Sequence, residues 1–318
     1  MNTNFVKYHV SCPECGSSDA VSINEDGSAK CWGWGLRYKL GNGSQDNQLS
    51  PVSVGSISTA TTITAGGDFS CSMLSSGSIK CWGKGEYGQL GNGTNNQVTS
   101  PVTVSNITNA IDFEAHELNA CALLDNGTVN CWGYGGYGQL GNGVTVMTDG
   151  LAYKTNTPVE VSSITNGADI SMGYYHACVL LDNGSVNCWG KGEFGQLGNG
   201  TTSTSAVNTP VNVSNISSAI AISAGYTHSC VILSDGTVKC WGAGGGGRLG
   251  NDSTSNQSTP VSVSNINNAI AISSGYDHTC ALLDNSSIAC WGTGGYGQLG
   301  NGATGDQSTP VLVSGFGG

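Results

Sequence analysis

Cysteine is the residue type whose number and spacing most directly predict chemistry in this chain. Ten of the 13 cysteines form five pairs, and in every pair the two residues are ten positions apart. Oxidised pairs would be disulfides, whereas reduced pairs would pack in a core as small hydrophobic side chains. The pairs are Cys71 with Cys81, Cys121 with Cys131, Cys178 with Cys188, Cys230 with Cys240, and Cys280 with Cys290.

The turn between two paired cysteines sets their register. In the segment Leu-Asp-Asn-Gly-Thr at 124–128, Gly127 can adopt the positive φ that a three-residue hairpin loop with a bulge requires. If Leu124 faces Thr128, then Cys121 faces Cys131, and the same count opposes the members of the other pairs. Facing residues on antiparallel strands have Cα atoms about 4.5–5.5 Å apart, which a disulfide accepts. We therefore predict five cross-strand disulfides, with buried thiols as the alternative.

The paired cysteines belong to a longer repeat. The tripeptide Cys-Trp-Gly occurs six times, with successive spacings of 50, 50, 57, 52 and 50 residues, which is typical of stacked supersecondary units. Each unit contains a Pro-Val-x-Val segment and short alternating runs, such as 220–223 and 237–240, that predict strands. Several short strands per unit, without a helical pattern, predict the blades of a β-propeller with about four strands each.

Two longer motifs carry a family resemblance. One is Cys-Trp-Gly-x-Gly-x-Tyr-Gly-Gln-Leu-Gly-Asn-Gly, as in 81–93 and 290–302, and the other is Gly-Tyr-x-His-x-Cys, as in 225–230 and 275–280. From about residue 20 to the C-terminus, the chain resembles the regulator of chromosome condensation repeat family. Members of that family are β-propellers, usually with seven blades, so the resemblance implies a propeller here.

The repeat count predicts an all-β propeller with six blades of about four antiparallel strands. Five units are complete between Pro51 and Thr309, and the sixth is split between residues 20–50 and the C-terminal segment 310–313. Pairing of these two segments would close the ring and leave no free sheet edge. An incomplete seven-bladed ring is the alternative. Residues 20–318 then form a single domain, and residues 1–19 form either an N-terminal extension or the remnant of a separate zinc-binding segment.

The N-terminal segment carries a second resemblance. Residues 5–31, with a Cys-x-x-Cys motif at Cys12 and Cys15, resemble the zinc-binding N-terminus of phage primase-helicases, in which two such motifs hold one zinc ion. Trp34 stands where the second motif would end. The resemblance implies one structural zinc held by Cys12, Cys15 and Cys31 with His9 as the fourth ligand. One disulfide plus a thiol, or three thiols, are the alternatives, and no other cofactor is expected.

Two segments that depart from the repeat are candidate binding sites, because loops on a repeated scaffold often carry recognition. In the first, His116 replaces the usual glycine between two acidic residues. The second is an extended loop at 144–157 in the unit of 57 residues. The candidate binding residues are Glu114, His116, Glu117, Met147, Asp149, Leu151 and Tyr153.

No catalytic residue is predicted. His176, His228 and His278 recur at one position per unit, which favours a structural role. The sequence has neither a Gly-x-Ser-x-Gly elbow nor a phosphate-binding loop with its lysine.

Charge and composition narrow the function. With 10 basic and 21 acidic residues the net charge is -11, and the basic residues are scattered along the sequence, so duplex nucleic acid is not an expected partner. We expect a monomeric, non-catalytic interaction propeller that presents loops to a protein or glycan partner. The alternatives are a phage replication-associated protein whose zinc-binding N-terminus contacts nucleic acid, and, from the family resemblance, a guanine nucleotide exchange factor for a small GTPase.

The expected location follows from the cysteines. Paired cysteines favour an extracytoplasmic or secreted protein. A signal peptide is not visible near Met1, so a cytoplasmic location stays open, and no apolar stretch predicts a membrane span.

Overall fold

The computed structural model describes residues 9–10, 19–145 and 152–316. In these ranges the chain forms 24 strands, arranged as six antiparallel sheets of four strands each, and two short 3₁₀ helices, Leu36–Tyr38 and Gly245–Gly247. The predicted all-β class and the six blades of four strands are confirmed. None of the helices in the described ranges is long and apolar enough to cross a membrane.

The chain divides into two compact units. The first comprises Met1–Gly136 and Val144–Val161, and the second comprises Tyr137–Gly143 and Ser162–Gly318. The sheets of the first unit are β1 (His9–Val10), β2 (Asp19–Ile23), β3 (Ala29–Gly33) and β4 (Gln48–Ser53); β5 (Ala60–Ala65), β6 (Phe69–Leu74), β7 (Ile79–Gly83) and β8 (Val98–Thr103); and β9 (Ala110–His116), β10 (Asn119–Leu124), β11 (Val129–Tyr134) and β12 (Lys154–Glu160). Those of the second unit are β13 (Gly167–Met172), β14 (His176–Leu181), β15 (Val186–Gly192) and β16 (Ser203–Asn212); β17 (Ala219–Ala224), β18 (His228–Leu233), β19 (Val238–Gly242) and β20 (Gln257–Ser262); and β21 (Ala269–Ser274), β22 (His278–Leu283), β23 (Ile288–Gly292) and β24 (Gln307–Leu312).

The predicted pairing of the N- and C-terminal segments is wrong. The C-terminal strand β24 pairs with β23 of its own sheet, and the first sheet contains its own Pro-Val-x-Val strand, β4, paired with β3. Each Pro-Val-x-Val strand therefore belongs with the Cys-Trp-Gly strand that precedes it. Local pairing costs less loop-closure entropy than pairing across the whole chain, which explains why every sheet is contiguous in sequence.

The Pro-Val-x-Val strands form one edge of each sheet. Proline lacks the N–H group that a central strand needs, so an edge is the position that tolerates it. A proline on an edge also blocks pairing with a further strand, which protects the sheet against aggregation. The six prolines are Pro51, Pro101, Pro158, Pro210, Pro260 and Pro310.

The central hairpin of each sheet has the register that the turn indicates. Gly127 has a φ of 79°, the Leu124 amide donates to the Thr128 carbonyl at 2.9 Å, and Cys121 faces Cys131. All five cysteine pairs face each other in this way, with S–S distances of 2.06 to 2.12 Å. Nine of these ten cysteines are buried, and Cys280 is partly exposed.

Five buried tryptophans each link a sheet to the glycine-rich loop of the preceding repeat. In the second unit, the indole Nε1 of Trp241 donates to the Gln196 carbonyl at 2.8 Å, and Trp291 donates to the Arg248 carbonyl at 3.0 Å. Trp82, Trp132 and Trp189 make the equivalent bonds, and all five indoles are fully buried. The leucine that follows the acceptor packs in the same core, as Leu90 does beside Trp132.

Replacing one of these tryptophans tests how much the link contributes. We expect Trp241→Phe to lower the free energy of unfolding by about 2–3 kcal/mol, because it removes buried volume and one of the two hydrogen bonds that the Gln196 carbonyl accepts, the other coming from the Ser229 hydroxyl. Chemical denaturation measures the change. In the control, Trp34→Phe at a side chain that is 37% exposed, the change should stay below about 0.5 kcal/mol. Equal losses in the two variants would contradict the assignment.

Candidate functional site

Loops at one end of each sheet hold most of the candidate residues. Because neighbouring strands run in opposite directions, the loop after the first strand and the loop after the third strand lie at the same end of a sheet. In the second unit, the first of these loops contains the Gly-Tyr-x-His motif, and in all sheets the second contains the glycine-rich motif.

Five tyrosines of the second unit form a continuous series of ring contacts, which we call the tyrosine row. Tyr226, at its centre, stacks on Tyr276 with a centroid distance of 3.8 Å and contacts Tyr174 at 4.1 Å. Tyr174 contacts Tyr175 at 4.0 Å, and Tyr175 contacts Tyr137 at 4.5 Å. The three sheets of the unit thus contribute adjacent aromatic side chains at one end.

The backbone and the hydroxyl groups hold the tyrosine row in place. The amide of Tyr174 donates to the Tyr226 carbonyl at 3.3 Å, and the Tyr226 amide donates to the Gly275 carbonyl at 3.2 Å. Burial raises the pKa of Tyr226, and hydrogen bonds with Tyr276 and Tyr174 raise it further, so its hydroxyl stays neutral. The row is partly exposed, and Tyr137 at its end is 38% exposed.

An ion pair lies beside the tyrosine row. The guanidinium of Arg248 pairs with the Asp277 carboxylate, and its Nη1 donates to the Thr227 hydroxyl at 3.3 Å. Asp277 directly follows Tyr276 in the sequence, and Arg248 interacts electrostatically with Tyr276. The surface therefore combines aromatic faces with fixed hydrogen-bonding groups.

The repeated histidines link neighbouring sheets. His176 Nε2 lies 2.9 Å from the Ser229 hydroxyl, and His228 Nε2 lies 2.8 Å from the Thr279 hydroxyl. Burial lowers the pKa of His228 well below its ordinary value, and Arg248 adds to this, so its imidazole is neutral. His176 and His228 are thus built into the packing between sheets, as their periodicity indicates.

In the first unit the same loop position carries Gly67 and Glu117 instead of tyrosine. The Gly67 amide donates to the Glu117 carbonyl at 3.2 Å, which continues the pattern of bonds between loops. Burial, with a smaller contribution from the charge of Asp68, raises the pKa of Glu117 to about 7, although Lys39 opposes the shift. A carboxyl group that titrates near neutrality therefore occupies the position at which the second unit places an aromatic ring.

Three cations that are far apart in sequence converge on Glu86. Its carboxylate lies 4.0 Å from Arg37 Nη1 and 3.6 Å from Lys84 Nζ, and its carbonyl accepts a bond from Lys154 Nζ at 3.2 Å. Lys84 and Lys154 also lie 5.7 and 5.9 Å from the Tyr87 ring. The basic residues are therefore scattered along the sequence, but three of them gather in space, a proximity that their sequence spacing does not indicate.

The predicted binding residues of the third sheet are partly described. Glu114 and His116 are half-buried on β9, facing Cys121 and Asn119 of β10, and Glu117 lies in the loop that follows. Tyr153 bonds through its backbone to Gly135 and Thr145, at 2.8 and 3.0 Å. Met147, Asp149 and Leu151 lie outside the described residues.

The predicted zinc site has no support in the described part of the chain. Cys12 and Cys15 lie outside it, and of His9 only the backbone pairing with Val21 is described. Cys31 is fully buried among apolar side chains, facing Val21. Among 9–10, 19–145 and 152–316, His, Cys, Asp and Glu side chains form no group of three or more that could hold a metal ion.

Comparison with known proteins identifies the family. The family model described as RCC1-like domain matches residues 14–318. The chain belongs to the RCC1-like domain family. This match includes residues 14–31, so the propeller repeat accounts for most of the segment with the cysteine motif.

The curated relatives match short stretches. The chain is 35% identical over 83 residues to the regulator of chromosome condensation of Drosophila melanogaster, and 37% identical over 81 residues to the E3 ubiquitin-protein ligase MYCBP2 of Danio rerio. These stretches are 26% of this chain, and only 15% and 2% of the two relatives.

Solved structures match nearly the whole chain. Prp20p from Saccharomyces cerevisiae has a TM-score of 0.81 at 21% identity, covering 94% of this chain and 75% of its own. Human WBSCR16 has a TM-score of 0.81 at 20% identity, covering 93% and 79%. The ectodomain of the Physcomitrella patens receptor kinase CR4 has a TM-score of 0.53 at 20% identity, covering 88% and 62%. At these identities the likeness establishes the propeller fold of the RCC1-like family.

The raised pKa of Glu117 predicts a pH-dependent stability. Between its ordinary pKa of 4.5 and about 7 the folded state binds more protons than the unfolded state, so stability falls as the pH rises. We expect Glu117→Gln to match the wild type near pH 4.5 and to be more stable by about 1 kcal/mol at pH 8, since the partly buried carboxylate is screened by solvent.

Denaturation curves at the two pH values measure this difference. The control is Glu25→Gln in an exposed hairpin. Its difference in unfolding free energy from the wild type should be the same at the two pH values. If the difference in unfolding free energy between Glu117→Gln and the wild type is the same at pH 8 as at pH 4.5, the carboxyl group ionises normally and the prediction is wrong.

Proposed function

We propose that the chain is a non-catalytic binding propeller that contacts a protein partner through the tyrosine row. The observation that carries this proposal is the contact series from Tyr137 to Tyr276, which is partly exposed. Tyrosine offers a large rigid contact area with few rotatable bonds, and it is enriched among the residues that dominate binding energy.

The use of polar groups supports a binding function over catalysis. His176 and His228 are bound to hydroxyl groups of the neighbouring sheet, and Arg248 is bound to Asp277 and Thr227. Polar groups that are bound to protein partners in this way stabilise the loops that form the surface. Burial also lowers the pKa of His228, so its imidazole is neutral. Membership of the RCC1-like family is consistent with an interaction function.

Exchange-factor activity is the second candidate. The solved structure of Prp20p is described together with its binding to Gsp1p and histones, and that description applies to Prp20p. The shared fold makes nucleotide exchange worth a direct test on this chain.

We also propose that the protein works in an oxidising compartment. The five facing cysteine pairs support this, because disulfides persist outside the cytosol. The likeness to the CR4 ectodomain is consistent with the same location.

Binding assays with row variants test the contact surface. Wild-type protein immobilised as bait should enrich at least one protein from the secreted fraction of the source organism, and Tyr226→Ala should weaken that interaction by about 30-fold, the effect of losing a central aromatic contact. Tyr137→Ala, at the exposed end of the row, should weaken it too. Tyr296→Ala is the control, since that ring is 85% exposed.

Two outcomes would count against the proposal. One is that every captured protein binds the Tyr226→Ala and Tyr137→Ala variants as tightly as it binds the wild type. The other is accelerated release of fluorescent GDP from a purified small GTPase by the wild-type chain, which would favour the exchange-factor candidate. We expect no acceleration.

Intact mass spectrometry tests the oxidised state. Protein purified without reductant should be lighter than the reduced chain by about ten hydrogens, because each of five disulfides removes two. At most three thiols should then react with an alkylating agent under denaturing conditions. Alkylation of all 13 cysteines before reduction would instead show that the pairs are buried thiols.

A further inference from the structure

The loop after β3 departs from the repeat at a position where the other five sheets have glycine. Tyr38 has a φ of 61° and Arg37 a φ of 65°, both in the left-handed region that side chains disfavour. The other five sheets have glycine at the position of Tyr38, with φ between 78° and 84°: Gly88, Gly138, Gly195, Gly247 and Gly297. Strain of this kind persists where surrounding structure enforces it, and it clusters at ligand sites.

The same loop exposes apolar side chains beside a cavity. Trp34 is 37% exposed, and Leu49 at the start of β4 is fully exposed, whereas the five linking tryptophans are fully buried. An open cavity of about 410 Å³ is lined by Gly33, Trp34, Asn47 and Leu49.

Two of the side chains that line this cavity, Trp34 and Asn47, make contacts that orient them. The ammonium of Lys39 lies 4.8 Å from the centre of the Trp34 ring and donates to the Gly67 carbonyl at 3.3 Å. Lys39 is fully buried, at a position where four of the other sheets have glutamine. The Oδ1 of Asn47 accepts a bond from the Gly35 amide at 3.1 Å, which orients its side chain. These contacts orient the side chains of Trp34 and Asn47.

We propose that this cavity binds a pyranose ring of a neutral carbohydrate. A pyranose has a face of C–H groups, which packs on an aromatic ring, and a rim of hydroxyl groups, which bonds to amides. Trp34 and Leu49 offer the apolar wall, and the N–H groups of the Asn47 carboxamide offer hydrogen bonds, since its Oδ1 accepts from the Gly35 amide. The lining residues in the described part of the chain are uncharged, which favours a neutral ligand over an ionic one.

Titration with neutral oligosaccharides tests the site. The probes are cellotriose, chitotriose and mannotriose, added to the full chain and followed by calorimetry and by tryptophan fluorescence. At least one should bind with a dissociation constant on the order of 1 mM or below, as expected for a ligand of this size. Trp34→Ala should weaken that binding at least tenfold.

Two further variants distinguish a loss of sugar binding from a loss of folding, and this site from the tyrosine row. Leu49→Asp changes a fully exposed side chain, so the protein should fold normally and bind the sugar at least fivefold more weakly. Tyr226→Ala should leave sugar binding unchanged. The proposal fails if none of the three sugars binds at about 20 mM, or if Leu49→Asp or a folded Trp34→Ala binds as tightly as wild type.

Discussion

The hydrogen bond from a buried indole to the carbonyl of the preceding repeat is the interaction on which the other features depend. It recurs five times, from Trp82 to Trp291, with N–O distances of 2.8 to 3.0 Å. Because the acceptor carbonyl belongs to the glycine-rich loop, this bond fixes both the loop and the sheet it contacts. A backbone acceptor also explains why the acceptor residue is glutamine in some repeats and Lys39 or Arg248 in others. The side chain at that position is consequently free to serve another purpose, as Arg248 does beside Asp277.

The strands and their register are predictable because they depend on local signals that repeat. The turn glycine fixes the pairing of Cys121 with Cys131, and alternation of apolar residues identifies the strands. The assignment of Pro310 to the first sheet failed for a different reason. A repeat defines a period but no starting point, so a count that begins at proline divides each sheet between two units. The position of the proline on an edge strand, with its partner earlier in the chain, settles the boundary.

Most of the candidate site depends on contacts between repeats, which sequence spacing does not reveal. Tyr137 was identifiable as a periodic aromatic residue, but its contact with Tyr175 requires the loop of one repeat to lie against the next sheet. The gathering of Arg37, Lys84 and Lys154 around Glu86 has the same origin. By contrast, His116 and Glu117 were visible as departures from the pattern, because a repeat supplies its own reference for every position. What could not be foreseen is the burial that raises the pKa of Glu117.

One repeat position illustrates how the scaffold separates stability from function. Four residues before the second-strand cysteine, three sheets of the second unit have tyrosine, whereas the first unit has Gly67 and Glu117. In each case the loop is held by backbone hydrogen bonds to its neighbour, Gly67 to Glu117 and Tyr174 to Tyr226. Because these bonds do not involve the side chain, the position accepts a ring, a carboxyl group or no side chain at all. The chemistry of the exposed end can therefore change from one repeat to the next, while the indole bond and the cysteine pairs preserve the sheets beneath it.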